Sequence, residues 1–208
     1  MIILLLIITA CAIGTFLPAF DTYHSWWFIL LIFLFWINLL LCTLKRLKLW
    51  RTKFSSGLTH IGLLVILSGG LVTCIFGEQG FLIVYKGHTQ DTFIKKDRQL
   101  KELSFKIYLD DFLIEWHNSN NTAPAPPAVK NFKSQITVLE DGREALEKTV
   151  EVNRPLKYKG YALYQASYDR DGFRWSGLDV VKDPGEPFVF AGFILLNAGV
   201  ILSFYFRP

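Results

Sequence analysis

The stretch LKRLKLWRTK, Leu44 to Lys53, holds five of the six basic residues that lie outside the charged block Gly77 to Glu186. It separates Trp26 to Leu44 from Gly57 to Phe76, two segments without a single Lys, Arg, Asp or Glu. Met1 to Phe20 and Phe188 to Phe206 are equally free of charge. Each has the length, about 20 residues, that an α-helix needs to cross the hydrocarbon core of a bilayer. The reading is an integral membrane protein with four transmembrane α-helices plus an extracytoplasmic antiparallel all-β domain. Cationic loops stay on the cytoplasmic side, so LKRLKLWRTK fixes the orientation. Residues 1–76 then carry three transmembrane helices, at 1–20, 24–44 and 57–76, with the cytoplasmic basic loop 45–56 between the second and third. Residues 77–186 form the outer domain. Residues 187–208 form a fourth helix and a cytoplasmic C-terminus, where Arg207 agrees with the same rule. Both termini are expected inside, Asp21 in a short outer loop, and the whole chain in the inner (plasma) membrane.

A net charge of +4 invites a nucleic-acid partner, but the excess is in the wrong place. The outer block has 16 basic against 17 acidic residues, so the surplus is the cytoplasmic loop and Arg207. Without a basic face on the soluble part, nucleic acid is excluded and the bilayer is the partner that the charges describe. Met1 to Leu6 has no basic n-region and no small-x-small site follows, so the first helix is read as a retained anchor. Cys11, Cys42 and Cys74 fall in three different apolar segments, and none is part of a C-x-x-C pair. The outer block has no cysteine, which excludes a disulfide scaffold and thioredoxin-like chemistry.

Within the outer block, FLIVYK (Phe81 to Lys86) reads as a strand that ends at Gly87. Ser104 to Trp116 alternates with Phe105, Ile107 and Leu109 on one side, then breaks at Asp110-Asp111 before Phe112 and Ile114. Gln135 to Leu139 and Leu146 to Val152 flank Asp141-Gly142, a dipeptide that supplies the positive φ angles of a tight hairpin turn. A second hairpin runs from Leu156 and Tyr158 through Lys159-Gly160 to Tyr161, Leu163 and Gln165, and Trp175 to Val181 adds a last strand. Short strands at this spacing predict a small sandwich or open barrel. Asn118 to Asn131, rich in Asn and Pro, reads as a loop. No nucleophile and base pair is visible, and His88 and His117 read as solvated residues at a turn and a strand end. No catalytic residue is assigned; the outer domain reads as a structural or docking module.

The membrane segments carry the chemistry, because an ionisable group there is costly. His24 stands at the outer end of the second helix and His60 just inside the third, at its cytoplasmic end. At the rise of an α-helix His24 lies about 30 Å above the basic loop and His60 about 6 Å above it, so they cannot share one metal or haem. His24 suits an interfacial role beside Trp26-Trp27. For His60, a hydrogen-bonded histidine at a helix start and a metal ligand are equally open on chemistry alone. Gly62, Ser68, Gly69 and Gly70 thin one side of the third helix, and Gly192 and Gly199 thin the fourth. Small residues admit a neighbouring helix, their commoner use, or a flat ligand. Asn38 is expected to be a buried amide with a partner across a helix interface.

The helices carry Ile13-Gly14-Thr15-Phe16-Leu17-Pro18, Ser25-Trp26-Trp27-Phe28, Asn38-Leu39-Leu40-Leu41-Cys42-Thr43-Leu44 and His60-Ile61-Gly62-Leu63 with Gly69. The outer block and its exit carry Asn153-Arg154-Pro155-Leu156-Lys157-Tyr158-Lys159-Gly160-Tyr161, Tyr164-Gln165-Ala166-Ser167-Tyr168-Asp169 and Asp183-Pro184-Gly185. Together, in this order, these motifs resemble the ResB (CcsB) family of System II cytochrome c biogenesis. The resemblance implies a membrane subunit that handles or exports haem together with a CcsA/ResC-like membrane protein, for attachment to apocytochrome c. It further implies that His60 is an axial ligand of haem b, held transiently, with the second ligand from the partner and room for the macrocycle at Gly57 and Gly62. The covalent step would then need the partner and the thiols of apocytochrome c. The outer domain is shorter than in typical members, and Phe28 follows Trp26-Trp27 where the partner's Trp-rich motif has an acidic residue, so no external haem site is implied. The alternative is an accessory or scaffold subunit whose shortened ResB-like fold binds no haem. A self-contained b-type cytochrome fails on the number and depth of the histidines.

Overall fold

The computed structural model describes residues 2–16, 25–46, 54–116, 129–169 and 174–205. The chain divides into two compact units, Met1–Gly77 with Pro184–Pro208, and Glu78–Asp183.

The first unit is helical: α1 (Ile2–Phe16), α2 (Trp26–Arg46), α3 (Phe54–Phe76) and α4 (Glu186–Tyr205). Three of these helices, α2, α3 and α4, are long and apolar enough to cross a membrane. The first expected span appears, over the described residues, as the 15-residue α1. The remainder of that expected span, residues 1 and 17–20, lies outside the described residues. Large apolar side chains such as Phe33, Ile75, Ile194 and Phe204 stand exposed, a surface suited to lipid rather than water.

Glycine sets how closely α3 and α4 approach. Gly192 and Gly199 of α4, with Gly185 just before it, recur every seven residues and face Gly62, Thr59 and Gly69 of the antiparallel α3. A Cβ on Gly62 would lie 2.5 Å from the Leu196 backbone nitrogen, and one on Gly192 2.8 Å from the Gly62 carbonyl oxygen. Backbone meets backbone along this seam, which only glycine permits. The α2–α3 contact uses a polar tie instead: the Trp36 indole N–H donates to Ser68 Oγ at 3.0 Å, and Ser68 donates to the Leu64 carbonyl. Asn38, expected to be buried, is exposed; Trp36 makes the bond across the helices that Asn38 was expected to make.

The second unit is one eight-stranded antiparallel sheet: β1 (Glu78–Tyr85), β2 (Thr89–Lys95), β3 (Leu100–Trp116), β4 (Val129–Glu140), β5 (Arg143–Glu151), β6 (Leu156–Tyr158), β7 (Tyr161–Tyr168) and β8 (Trp175–Lys182). The order across the sheet is β5-β4-β3-β2-β1-β8-β7-β6. The sheet curls around Leu82, Phe93, Ile107, Ile136, Leu163 and Leu178, all fully buried. Its two ends are drawn together where the Tyr158 hydroxyl donates to Glu140 at 2.6 Å, the Lys159 ammonium pairs with the same carboxylate, and Lys148 donates to the Pro155 carbonyl. The result is an open barrel rather than a sandwich. Both predicted turns have the left-handed backbone that the tight connection needs, φ 50° and 76° at Asp141-Gly142 and 45° and 80° at Lys159-Gly160.

Three expectations need correction. Strand β2 was not foreseen, and β4 begins at Val129, inside the stretch read as loop. Asp110-Asp111 does not break the chain into two strands; β3 runs through it with a register shift between Leu109 and Asp111. The extra residue changes the parity of the buried side, from Leu103, Phe105, Ile107 and Leu109 to Phe112. Both aspartates are engaged, Asp110 accepting from Thr137 Oγ1 and Asp111 paired with Lys86 at 2.6 Å.

Candidate functional site

His60 lies in the second turn of α3 and is half-buried. Its Nδ1 is 2.7 Å from the Ser56 carbonyl oxygen, one turn earlier. A carbonyl can only accept, so Nδ1 carries the proton and donates it, which leaves Nε2 with a free lone pair. A second hydrogen bond of this kind fixes ring orientation and tautomer in metal-ligating histidines. The residues present therefore suit a single axial bond from Nε2.

The faces of α3 assign neighbours to the ring. At about 100° per residue, Gly62 points about 200° away from His60, so the face packed on α4 is the far one. Gly62 thus gives room to Leu196 and Gly192 of α4, not to a macrocycle beside His60. Ser68, which receives Trp36 of α2, lies two turns on and about 80° around from His60. Among the described residues no group of three or more His, Cys, Asp or Glu side chains could hold a metal ion. Cys11, Cys42 and Cys74 form no disulfide among the described residues, and Cys74 is exposed. His88 is exposed in the β1–β2 turn, its Nδ1 3.1 Å from the Lys86 carbonyl. His24, His117, residues 47–53 of the basic loop, most of the Asn-rich stretch and Arg207 lie outside the described residues.

Two polar groups of the β unit were not picked out by sequence reasoning. Gln165 is buried between Ser134 and Ser176: Ser134 Oγ donates to Gln165 Oε1 at 2.5 Å, and Gln165 Nε2 donates to Ser176 Oγ at 2.8 Å. This ties β4 to β7 and β8 through the core. At the other group, Glu78 receives Lys101 at 2.5 Å and the Tyr161 hydroxyl at 2.9 Å. Burial opposes ionisation of Glu78, but the hydrogen bonds from Lys101 and Tyr161, with the charges of Lys101 and Lys182, outweigh it and hold the carboxyl below its usual range. Burial, then the Glu78 carboxylate, pushes the Tyr161 phenol up to about 12. The signal for this group was the position of Glu78 and Lys182 at the two points where the chain enters and leaves the sheet.

The ResB-like family profile matches residues 9–56, 51–174 and 171–208. The cytochrome c biogenesis protein CcsB of Synechococcus sp. (strain JA-3-3Ab) is 29% identical over 127 residues, covering 59% of this chain and 24% of that protein. The chloroplastic cytochrome c biogenesis protein CCS1 of Arabidopsis thaliana is 31% identical over 132 residues, 62% of this chain and 23% of that protein. The Ccs1 protein of Guillardia theta is 26% identical over 201 residues, covering 72% of this chain and 46% of that protein. The match thus spans about a quarter of the first two relatives and under half of the third. Among solved structures, a cytochrome c haem lyase CcmF chain superimposes with a TM-score of 0.43 at 15% identity, over 95% of this chain and 33% of that one.

Proposed function

This chain belongs to the ResB-like family, and from that membership we propose a membrane subunit of a System II-type cytochrome c maturation complex. Helices α2, α3 and α4 cross the membrane, the α2–α3 loop is cytoplasmic, and the β unit is extracytoplasmic. The chain handles haem b together with a CcsA/ResC-like partner, for attachment to apocytochrome c. It has no chemistry of its own. The β unit serves as a docking or structural module, consistent with a core built of apolar side chains and satisfied polar groups.

The observation that carries this reading is the His60 tautomer. With Nδ1–H committed to Ser56, Nε2 is the one ring atom that can bond a metal. His60 would hold haem iron there, and the haem so held would be what the complex attaches to apocytochrome c. The second ligand to that iron would come from the partner. What the chain does is hold the imidazole at a fixed depth and angle: the Ser56 carbonyl sets the ring, and the α3–α4 seam sets the helix that carries it.

The test is haem content and the Soret band of the complex purified with its CcsA-like partner. His60→Ala should abolish or sharply reduce the band while the protein stays folded and membrane-inserted. In His60→Gly, added imidazole should recover part of it by filling the axial position. An unchanged haem content and spectrum in His60→Ala rules out ligation, and the scaffold reading then stands in its place.

A further inference from the structure

The β2–β3 hairpin ends in the turn Lys95-Lys96-Asp97-Arg98-Gln99. The turn is closed by Lys95 N–H to the Gln99 carbonyl and Arg98 N–H to the Lys95 carbonyl, and Asp97 is used in capping the Gln99 amide at 3.1 Å. Lys95, Lys96 and Arg98 make no ion pair among the described residues, whereas Lys101, just behind them, is committed to Glu78. Immediately behind the turn, Ile94 and Leu100 are cross-strand partners on the outer face, 47% and 73% exposed. Among the described residues of the unit, Leu100 is the most exposed large apolar side chain. A groove on the same face brings Phe81, Ile94 and Val181 together with Lys95 and Lys96, and with Asp179 on its far wall.

Register places this turn at one end of the sheet. Lys95 pairs with Gly80, and the strand runs on from there back past Glu78. Glu78 is separated from α3 by Gly77 alone, and its cross-strand partner Lys182 is separated from α4 by three residues, 183–185. Both connections to the apolar helices therefore leave from the end of the sheet that carries the basic turn. Counted along β1, the residue opposite Lys95 stands two positions from Glu78, about 7 Å along the strand.

We propose that the β2–β3 turn is a membrane-surface contact, in which Lys95, Lys96 and Arg98 bind the phosphates of anionic lipid headgroups while Ile94 and Leu100 rest in the interface. The proposal rests on the membrane reading of α2, α3 and α4. Three unpaired cations next to an exposed apolar pair form the combination that partitions to an anionic interface, each cation contributing roughly fivefold. It gives the β unit a second hold on the membrane besides its two tethers.

The test uses the full chain, with its three native cysteines replaced by serine, in nanodiscs of phosphatidylcholine alone or of phosphatidylcholine mixed equally with phosphatidylglycerol. An environment-sensitive fluorophore on Leu100→Cys should shift to the blue in the anionic discs and less in the neutral ones. High salt, or the triple change Lys95→Gln, Lys96→Gln and Arg98→Asn, should remove the difference. Inorganic phosphate added to neutral discs should not reproduce the shift, which separates headgroups from free anions. A fluorophore on Phe76→Cys, at the end of α3, serves as the insertion control. Equal spectra in both discs, or a difference that survives the triple change, overturn the headgroup contact. An unshifted Phe76 probe overturns the membrane reading, and this proposal with it.

Discussion

Glu78 is claimed by two donors, and the balance between them sets a pH window for the β unit. Its carboxyl, held below the ordinary value of 4.5, contributes stability that is present above that value and is lost as pH falls through the lower folded one. Tyr161 has the opposite sign. Its pKa rises from 10.0 to about 12, so its contribution is complete below 10 and is lost as pH climbs through that interval. Denaturant titrations of the full chain should therefore give a plateau at neutral pH with an acid and an alkaline limb. Tyr161→Phe should flatten the alkaline limb and lower the plateau by about 1 kcal/mol, the net worth of one hydrogen bond. An alkaline limb of unchanged steepness in that variant would assign it to some other group. Of the two polar features of this scale, His60 was legible in the sequence as a costly residue in an apolar helix. Its tautomer was not, because the group that sets it is the backbone carbonyl of Ser56, which no residue type announces.

The α3–α4 seam shows what an element can and cannot declare. Glycines seven residues apart, at 62 and 69 and at 185, 192 and 199, are readable as a periodic stripe. Which surface fills them is not, so the same glycines could be read as space for a flat ligand until Leu196 was seen against Gly62. Gly192→Val would place branched carbons against the Ile66 nitrogen and the Gly62 carbonyl, both backbone atoms that cannot yield without moving a helix. Overpacking of this kind costs about 1–3 kcal/mol. The expected outcome is a lower melting temperature of the helical unit and faster proteolysis, with Gly70→Val as control, since nothing lies near a Cβ there. Equal losses in the two variants would show that helix propensity, not the seam, is responsible. Among the strands, the hairpins at Asp141-Gly142 and Lys159-Gly160 were legible because two adjacent left-handed residues leave the chain few alternatives. Strand β2 was not, because TQDTFIK buries only Phe93 fully and so shows no alternation. The bulge in β3 was equally silent: the inward and outward pattern changed parity at Asp110, which looked like an interruption.

For the whole molecule, the division of charge decides more than any motif. The block Gly77 to Glu186 is nearly neutral overall, while Lys45, Arg46, Lys48, Arg51 and Lys53 crowd into one short connection. Three helices long and apolar enough to span a membrane are what that charge pattern needs to act on, and both were legible from composition. Orientation follows from the cost of moving clustered Lys and Arg across the membrane, whereas acidic residues contribute little to the choice. Two exposed positions report the result: Glu147 on β5 and Lys45 at the end of α2. In intact cells, with Cys11, Cys42 and Cys74 replaced, a membrane-impermeant maleimide should label Glu147→Cys directly and Lys45→Cys only after permeabilisation. The reverse pattern would place the β unit in the cytoplasm and remove it from any encounter with an extracytoplasmic apocytochrome. Replacing Arg46, Lys48, Arg51 and Lys53 together by Gln should produce a mixed population, with part of the Glu147→Cys label lost from the outer side. If the orientation survives that change intact, the asymmetry resides in the folding of the β unit itself, and the loop is a consequence of the topology rather than its cause.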